Sequence, residues 1–172
     1  MVVKERVLQH AWPYVAVVGP SDPEPDCYEL AMEVGRLIAD RGGTVVCGGL
    51  GGVMEAAALG ASGAGGPVLG LLPGRDRADA NPYLTMAVAT GLGELRNGLV
   101  IRTSDAVVAV GGSWGTLSEV ALARRLDLPV FSLRGWAVVD HLGLAVDGPV
   151  TVSTAAEAVD AAVQAVAGRR AQ

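Results

Sequence analysis

The sequence has few cysteines, histidines and aromatic residues, and fewer basic than acidic residues. Its two cysteines, Cys27 and Cys47, are too few for a disulfide framework. Its two histidines, His10 and His141, stand in no HExxH or CxxC context, so we expect no metal site. Aromatics make up 4% of the chain, and 13 basic against 18 acidic residues give a net charge of −5. This balance is unfavourable for a nucleic-acid partner.

Long apolar runs are also lacking. No run reaches the roughly 18–20 residues that a membrane span needs. The segment Met1 to Trp12 mixes charged and apolar residues and lacks the pattern of a signal peptide. With free cysteines as well, we expect a cytoplasmic protein without a membrane partner. The chain has 172 residues, of which 51% are hydrophobic and 18% charged, which excludes a disordered chain and predicts one domain over 1–172.

Short apolar runs alternate with segments of helical periodicity. The runs are Tyr14–Val18, Thr44–Cys47, Val68–Leu72, Ala106–Val110 and Val130–Leu133, with shorter candidates at Thr85–Val88 and Val150–Val152. The predicted helices are Asp26–Arg41, Val53–Ser62, Leu92–Arg102, Leu117–Arg125 and Thr154–Ala167, the first with Asp26 as N-cap and Glu29 as its capping-box partner. Near-continuous apolar strands between helices predict an α/β fold with a Rossmann-like, doubly wound parallel sheet.

Glycine is abundant, with 24 residues that fall in clusters. One cluster, Gly48 to Gly52, follows the second predicted strand, and another, Gly111 to Gly115, follows Ala106–Val110. Loops between a strand and a helix N-terminus are suited to binding phosphate through backbone N–H groups. The alternative is that these glycines only make tight turns. Neither Gly-x-Gly-x-x-Gly after the first strand nor Gly-Lys-Ser/Thr is present, so the common dinucleotide and P-loop motifs are excluded.

Two charged residues flank the strand Ala106–Val110. Arg96 falls in the predicted helix before it, and Glu119 falls in the first turn of the predicted helix after it. On spacing alone, Thr116 to Glu119 is typical of a structural capping box, and Arg96 and Arg102 are typical of a solvated helix surface. A helix start would also keep the Glu119 carboxylate ionised.

The run Gly112-Ser113-Trp114-Gly115-Thr116-Leu117-Ser118-Glu119 resembles the Pro-Gly-Gly-x-Gly-Thr-x-x-Glu signature of the LOG ("lonely guy") family, formerly named lysine decarboxylases. The resemblance extends from about Tyr14 to Leu133 and includes the glycine loop from Val46 to Met54. The family's arginine lies nine residues before the aspartate that opens the signature strand, as Arg96 does before Asp105.

Enzymes of this family cleave the N-glycosidic bond of nucleoside 5′-monophosphates, releasing the base and ribose 5-phosphate. The resemblance implies that Arg96 and Glu119 serve bond cleavage. It implies a phosphate site formed by Gly111, Gly112, Ser113, Trp114, Gly115 and Thr116. Further candidates for nucleotide binding are Gly19, Ser21, Gly48, Gly49, Asn81 and Arg102. No cofactor is implied, and the family predicts a homodimer, for which the helices Val53–Ser62 and Leu117–Arg125 offer apolar surface.

The sequence departs from the enzymes at two places. The family's proline is Gly111 and its second glycine is Ser113, which keeps the backbone N–H and adds a hydroxyl. The family's Met-His-x-Arg-Lys block reads Gly93-Glu94-Leu95-Arg96-Asn97. The run Ala80-Asn81-Pro82-Tyr83, followed by Thr90 to Asn97, instead resembles a sister branch that includes molybdenum cofactor carrier proteins. Two hypotheses follow: a nucleoside 5′-monophosphate phosphoribohydrolase, or a non-catalytic binding or carrier protein for a nucleotide or the molybdenum cofactor.

Overall fold

The computed structural model describes residues 13–170, and the segment Met1 to Trp12 with His10 lies outside the described residues. A parallel sheet of seven strands in the order β4-β3-β2-β1-β5-β6-β7 forms the centre. The strands are β1 (Tyr14–Val18), β2 (Thr44–Cys47), β3 (Val68–Leu72), β4 (Met86–Ala89), β5 (Ala106–Val110), β6 (Val130–Leu133) and β7 (Val150–Thr151). This confirms the predicted α/β, Rossmann-like parallel sheet.

Helices cover both faces of the sheet. They are α1 (Pro25–Asp40), α2 (Val53–Gly63), α3 (Asn97–Thr103), α4 (Trp114–Arg125) and α5 (Ala155–Arg170). One hydrophobic cluster joins α1, α2 and α5 to one face of the sheet, and a second joins α3 and α4 to the other face. Every residue of β2 and β5 is buried, as expected of parallel strands between two helical layers. None of the helices in residues 13–170 has the length and apolar character to cross a membrane.

The chain reverses direction across the sheet between β1 and β5. From β1 the chain proceeds through β2 and β3 to the edge strand β4, and then returns to place β5 on the other side of β1. The loops after β1 and β5 therefore separate at the carboxyl end of the sheet, where open α/β folds bind their ligands. This topology fixes where the candidate site residues meet.

Several predicted boundaries differ from the structure, and three of the differences, all in helices, bear on the site or its surroundings. Helix α1 begins at Pro25 with Glu24 as N-cap and no side-chain cap, so Asp26 lies inside the helix and forms an ion pair with Arg134 instead. The predicted helix Leu92–Arg102 divides into a 3-10 turn, Gly93–Arg96, and the helix α3. Helix α4 begins at Trp114 rather than near Leu117, because Ser113 caps it. In each case a local turn or cap, rather than the apolar pattern, determines the boundary.

Helices α1 and α2 contact each other through glycines. A Cβ on Gly35 of α1 would overlap the backbone carbonyl of Ala57, and a Cβ on Gly60 of α2 would overlap that of Met32. By contrast, a Cβ on Gly63, at the end of α2, would meet no atom within 4 Å. The two helices are therefore in backbone contact, and only hydrogen fits at Gly35 and Gly60.

We predict that Gly60→Ala destabilises the protein by about 1–3 kcal/mol, because the added methyl group pushes two backbones apart. The loss occurs although alanine favours a helix over glycine by about 1 kcal/mol. The matched control, Gly63→Ala, keeps or raises stability. Urea unfolding of both variants measures the difference, and equal stabilities for the two would show that the helices do not touch as described.

Candidate functional site

The loop from Gly111 to Ser113 connects β5 to α4. Gly111 has φ +70°, a conformation that a side chain rarely adopts. The Ser113 hydroxyl accepts a hydrogen bond from the Thr116 backbone N–H at 3.1 Å and lies 2.8 Å from the Thr116 hydroxyl. The first-turn amides of Trp114 and Gly115 have no carbonyl acceptor within the helix. The loop thus presents a capped helix N-terminus with free amide donors and a partial positive charge.

Glu119 lies in the second turn of α4, so Thr116 to Glu119 do not form a capping box. The Glu119 side chain is 7% exposed, and so is the side chain of Arg96, which ends the 3-10 turn before α3. The structure brings the two predicted residues close enough for the charge of each to affect the pKa of the other. The interpretation of Arg96 as solvated helix surface is wrong, because the topology buries it under the carboxyl edge of the sheet.

Burial dominates the charges of this pair. Desolvation raises the pKa of Glu119 to about 7, although the nearby Arg96 guanidinium acts in the opposite direction. Desolvation also lowers the pKa of Arg96, against the opposing effect of Glu119 and the Cys47 thiol. The expectation of a fully ionised Glu119 at neutral pH is therefore wrong, because the helix N-terminus affects mainly its first turn and Glu119 lies beyond it.

The Arg96 guanidinium is incompletely paired. The ion pairs found in residues 13–170 do not include one between Arg96 and Glu119, and the buried Arg96 Nε has no hydrogen-bond partner. The guanidinium lies where a Cβ of Gly48 would stand, so only glycine leaves room for it. A buried cation with unmade hydrogen bonds lowers the stability of the fold, unless a ligand completes those hydrogen bonds.

Arg96 lines a cleft of about 490 Å³, which we name the Arg96 cleft. Its other lining residues are Leu50, Pro73, Glu94, Asn97, Trp114, Gly115 and Ser118. The volume is within the range of small-molecule sites. The cleft thus combines a cation, the open amide end of α4 and an indole side chain.

The loop after β2 forms one wall of this region. Gly49 has φ +75°, and its carbonyl accepts a hydrogen bond from the Asn81 backbone N–H at 3.0 Å. The Asn81 side chain donates to the Leu50 carbonyl, also at 3.0 Å. Of this loop Leu50 lines the Arg96 cleft, whereas the predicted residues Gly48, Gly49 and Asn81 do not. Gly48 leaves room for the Arg96 guanidinium, and the buried Asn81 bonds to the loop.

A second cleft, of about 340 Å³, lies between the loops after β1 and β5. It is lined by Pro20, Asp22, Pro23, Glu24, Cys27, Gly111, Gly112, Arg134 and Trp136. This second cleft is less favourable for an anion than the Arg96 cleft for two reasons. Two acidic side chains, Asp22 and Glu24, line it. Its one basic side chain, Arg134, is already paired with Asp26 at 2.8 Å. A Cβ on Gly19 would overlap the Val110 carbonyl, so Gly19 permits the close approach of the two loops.

The remaining predicted residues lie outside the Arg96 cleft. Ser21 is exposed, and its carbonyl lies where a Cβ of Gly52 would stand. Arg102 is exposed on α3 and is not among the residues that line the cleft. Sequence reasoning missed Trp136, whose indole lies against Gly112. Only its position after β6, in a sequence with few aromatic residues, could have indicated that Trp136 lies near the site.

Comparison with known proteins places the chain in a family. The model of the SLOG cluster4 family matches residues 12–163, and the chain belongs to this LOG-like family. It is 39% identical to an uncharacterized protein of Archaeoglobus fulgidus over 128 residues, covering 74% of this chain and 84% of that protein.

Solved structures of two proteins are similar over nearly their full length. The molybdenum cofactor binding protein of Rippkaea orientalis is 33% identical, with a TM-score of 0.80, covering 89% of this chain and 96% of that one. The Moco carrier protein of Chlamydomonas reinhardtii is 33% identical, with a TM-score of 0.81, covering 91% and 99%. The resemblance to the LOG family and its carrier branch is therefore confirmed.

We predict that Glu119 makes stability depend on pH between about 4.5 and 7. Because its pKa is raised in the folded state, the folded protein favours the protonated carboxyl, and stability falls as pH rises through this range. Glu119→Gln cannot titrate. Its unfolding free energy should therefore rise relative to wild type by at most about 3 kcal/mol between pH 4.5 and pH 8.

Urea unfolding at several pH values measures this difference. The exposed carboxylate of Glu29 on α1 provides the control, and Glu29→Gln should follow the wild-type curve. A Glu119→Gln curve parallel to wild type would show that Glu119 is not desolvated.

Proposed function

We propose that this protein binds a phosphate-bearing small molecule, a nucleotide or a pterin phosphate such as the molybdenum cofactor, in the Arg96 cleft. In this proposal it is a binding or carrier protein. The observation that carries the proposal is the buried Arg96, whose Nε has no partner and which lines a cleft together with Trp114 and Gly115 of the first turn of α4.

Two features of the cleft suit an anion, although the Glu94 side chain also lines it. A phosphate at the first turn of α4 accepts hydrogen bonds from the free amides of Trp114 and Gly115 and is attracted by the helix dipole. The guanidinium of Arg96 remains charged and donates in a planar fork that matches phosphate oxygens. Because both features border one cleft, a single phosphate-bearing ligand can use them together.

The comparisons support the class of ligand. Two similar structures are described as a molybdenum cofactor binding protein and a Moco carrier protein. Molybdopterin ends in a phosphate, as a nucleoside monophosphate does, so both ligands present the group that the α4 N-terminus accepts. Because the net charge is −5, we do not include nucleic acid among the proposed ligands. We propose that the protein acts in the cytoplasm.

We predict that Gly115→Val reduces affinity for AMP and for ribose 5-phosphate at least tenfold. Gly115 is exposed and borders the cleft, and its Cβ position is open apart from the Ser113 hydroxyl at 3.7 Å. A branched side chain there stands between the amides and an incoming phosphate. Isothermal calorimetry measures both affinities.

Gly63→Val, on a helix end with no neighbour within 4 Å, is the matched control and should bind as wild type does. If the folded Gly115→Val protein binds both ligands with unchanged affinity, the phosphate does not bind at the α4 N-terminus.

Hydrolysis of the N-glycosidic bond is the second candidate, favoured by the proximity of Glu119 to Arg96. Breaking the C1′–N bond leaves positive charge on the ribose, which a carboxylate stabilises, or the carboxylate activates the attacking water. Arg96 orients the carboxylate and the ribose in this interpretation. With a Glu119 pKa of about 7, the carboxylate needs a pH above neutrality to be fully ionised.

If the protein is a hydrolase, incubation with a panel of nucleoside 5′-monophosphates releases free base, and kcat/KM rises with pH through about 7. Glu119→Gln then lowers turnover by about 10²–10⁴-fold while phosphate affinity is kept. Chromatography of the released base measures the rate. Binding of AMP without release of any base over hours, across the panel, excludes this candidate and leaves the carrier.

A homodimer is part of the proposal. Helix α2 is buried almost entirely against α1 and the sheet, so its apolar surface is already used within one chain. Exposed leucines lie instead around α3, where Leu92, Leu95 and Leu99 are 46%, 81% and 39% exposed. We expect this surface, next to the Arg96 cleft, to pair two chains. The molar mass in light scattering tests this expectation.

A further inference from the structure

Two tryptophans meet at the mouth of the site. The rings of Trp114 and Trp136 are 5.1 Å apart between centroids and 83° apart in plane, an edge-to-face pair. Trp114 is 79% exposed and Trp136 is 44% exposed. Adjoining exposed apolar side chains, unlike single ones, often mark a binding site on a protein surface.

Trp136 holds this pair in place. It follows β6 in the segment 134–149, and its indole lies against Gly112, where a side chain on Gly112 would overlap it. This contact anchors Trp136 on the loop before α4. Trp136 in turn supports Trp114 through the perpendicular contact, and since Trp114 is 79% exposed, most of its indole surface stays uncovered.

Trp114 also lines the Arg96 cleft. Its backbone amide belongs to the first turn of α4, and the length of its side chain separates the indole from that amide. In a nucleotide the sugar separates the base from the phosphate in a similar way. A ligand whose phosphate lies on the α4 N-terminus therefore has the reach to place a planar ring system beside the indole.

We propose that Trp114 is a stacking platform for the planar heterocycle of the ligand, a purine or a pterin, and that Trp136 is its positioning residue. The proposal rests on the proposed function and extends it from the phosphate to the ring system. Stacking on an aromatic face is tolerant of the identity of the base, because every such ring has a π-face. Trp114 thus selects for ligands with a flat heterocycle over sugar phosphates.

The test compares one ligand that has a base with one that lacks it. Calorimetry measures the affinities of wild type, Trp114→Ala and Trp114→Phe for AMP and for ribose 5-phosphate. We expect Trp114→Ala to lower AMP affinity about 5- to 150-fold, in the range of a lost base–aromatic stack. Trp114→Phe retains a π-face and should keep most of the affinity. Ribose 5-phosphate should bind all three proteins equally.

The matched control removes a different exposed apolar side chain. Met86 on β4 is 61% exposed and is not among the residues that line either cleft. Met86→Ala should bind both ligands as wild type does. Light scattering of every variant shows whether Trp114 acts through the association of chains.

Three results would overturn the proposal while leaving the phosphate site intact. These are AMP affinity unchanged in Trp114→Ala, equal affinity of wild type for AMP and ribose 5-phosphate, or a parallel loss of both ligands in Trp114→Ala. The last would show that Trp114 maintains the loop rather than stacks. Failure of wild type to bind either ligand contradicts the proposed function itself.

Discussion

The burial of Arg96 next to Glu119 is the constraint on which the site depends. Removing two ionisable groups from water costs stability, and the raised pKa of Glu119 is a measure of that cost. One local feature makes the burial of Arg96 possible: Gly48 has no side chain and leaves room for the guanidinium. If the pair had only a structural role, apolar side chains of similar volume would fill the space at a lower cost in free energy. In the proposed function, the Arg96 guanidinium is a preformed partner for an anion.

The topology explains why this pair forms where it does. Return of the chain from β4 to β5 brings the 3-10 turn that carries Arg96 to the carboxyl end of the sheet. The turn after β5 starts α4 at the same edge of the sheet. The N-terminus of α4, Glu119 and Arg96 therefore all lie near the carboxyl ends of the strands. The same geometry serves a carrier, which needs only affinity, and a hydrolase, which also needs an ionised Glu119. A molybdenum cofactor binding protein and a Moco carrier protein share the fold over nearly their whole length.

Much of the architecture was predictable from the sequence. The five long strands were predicted with the bounds that the structure shows, because strands buried on both faces give unbroken apolar runs. The start of α4 was not, because the Ser113 cap is a local hydrogen bond that the glycine-rich context concealed. The burial of Arg96 and the contact of Trp136 with Gly112 depend on long-range topology, which spacing along the chain does not reveal. The family motif pointed to Arg96 and Glu119, while the pKa of Glu119 required the three-dimensional surroundings.

A crystal structure of the protein with AMP tests the central claim most directly. We expect the 5′-phosphate to lie on the amides of Trp114 and Gly115 and the Arg96 guanidinium to be within hydrogen-bond distance of the ligand. Ligand density in the cleft between the loops after β1 and β5, with the phosphate on Arg134 and no contact to Arg96, would contradict the proposed site.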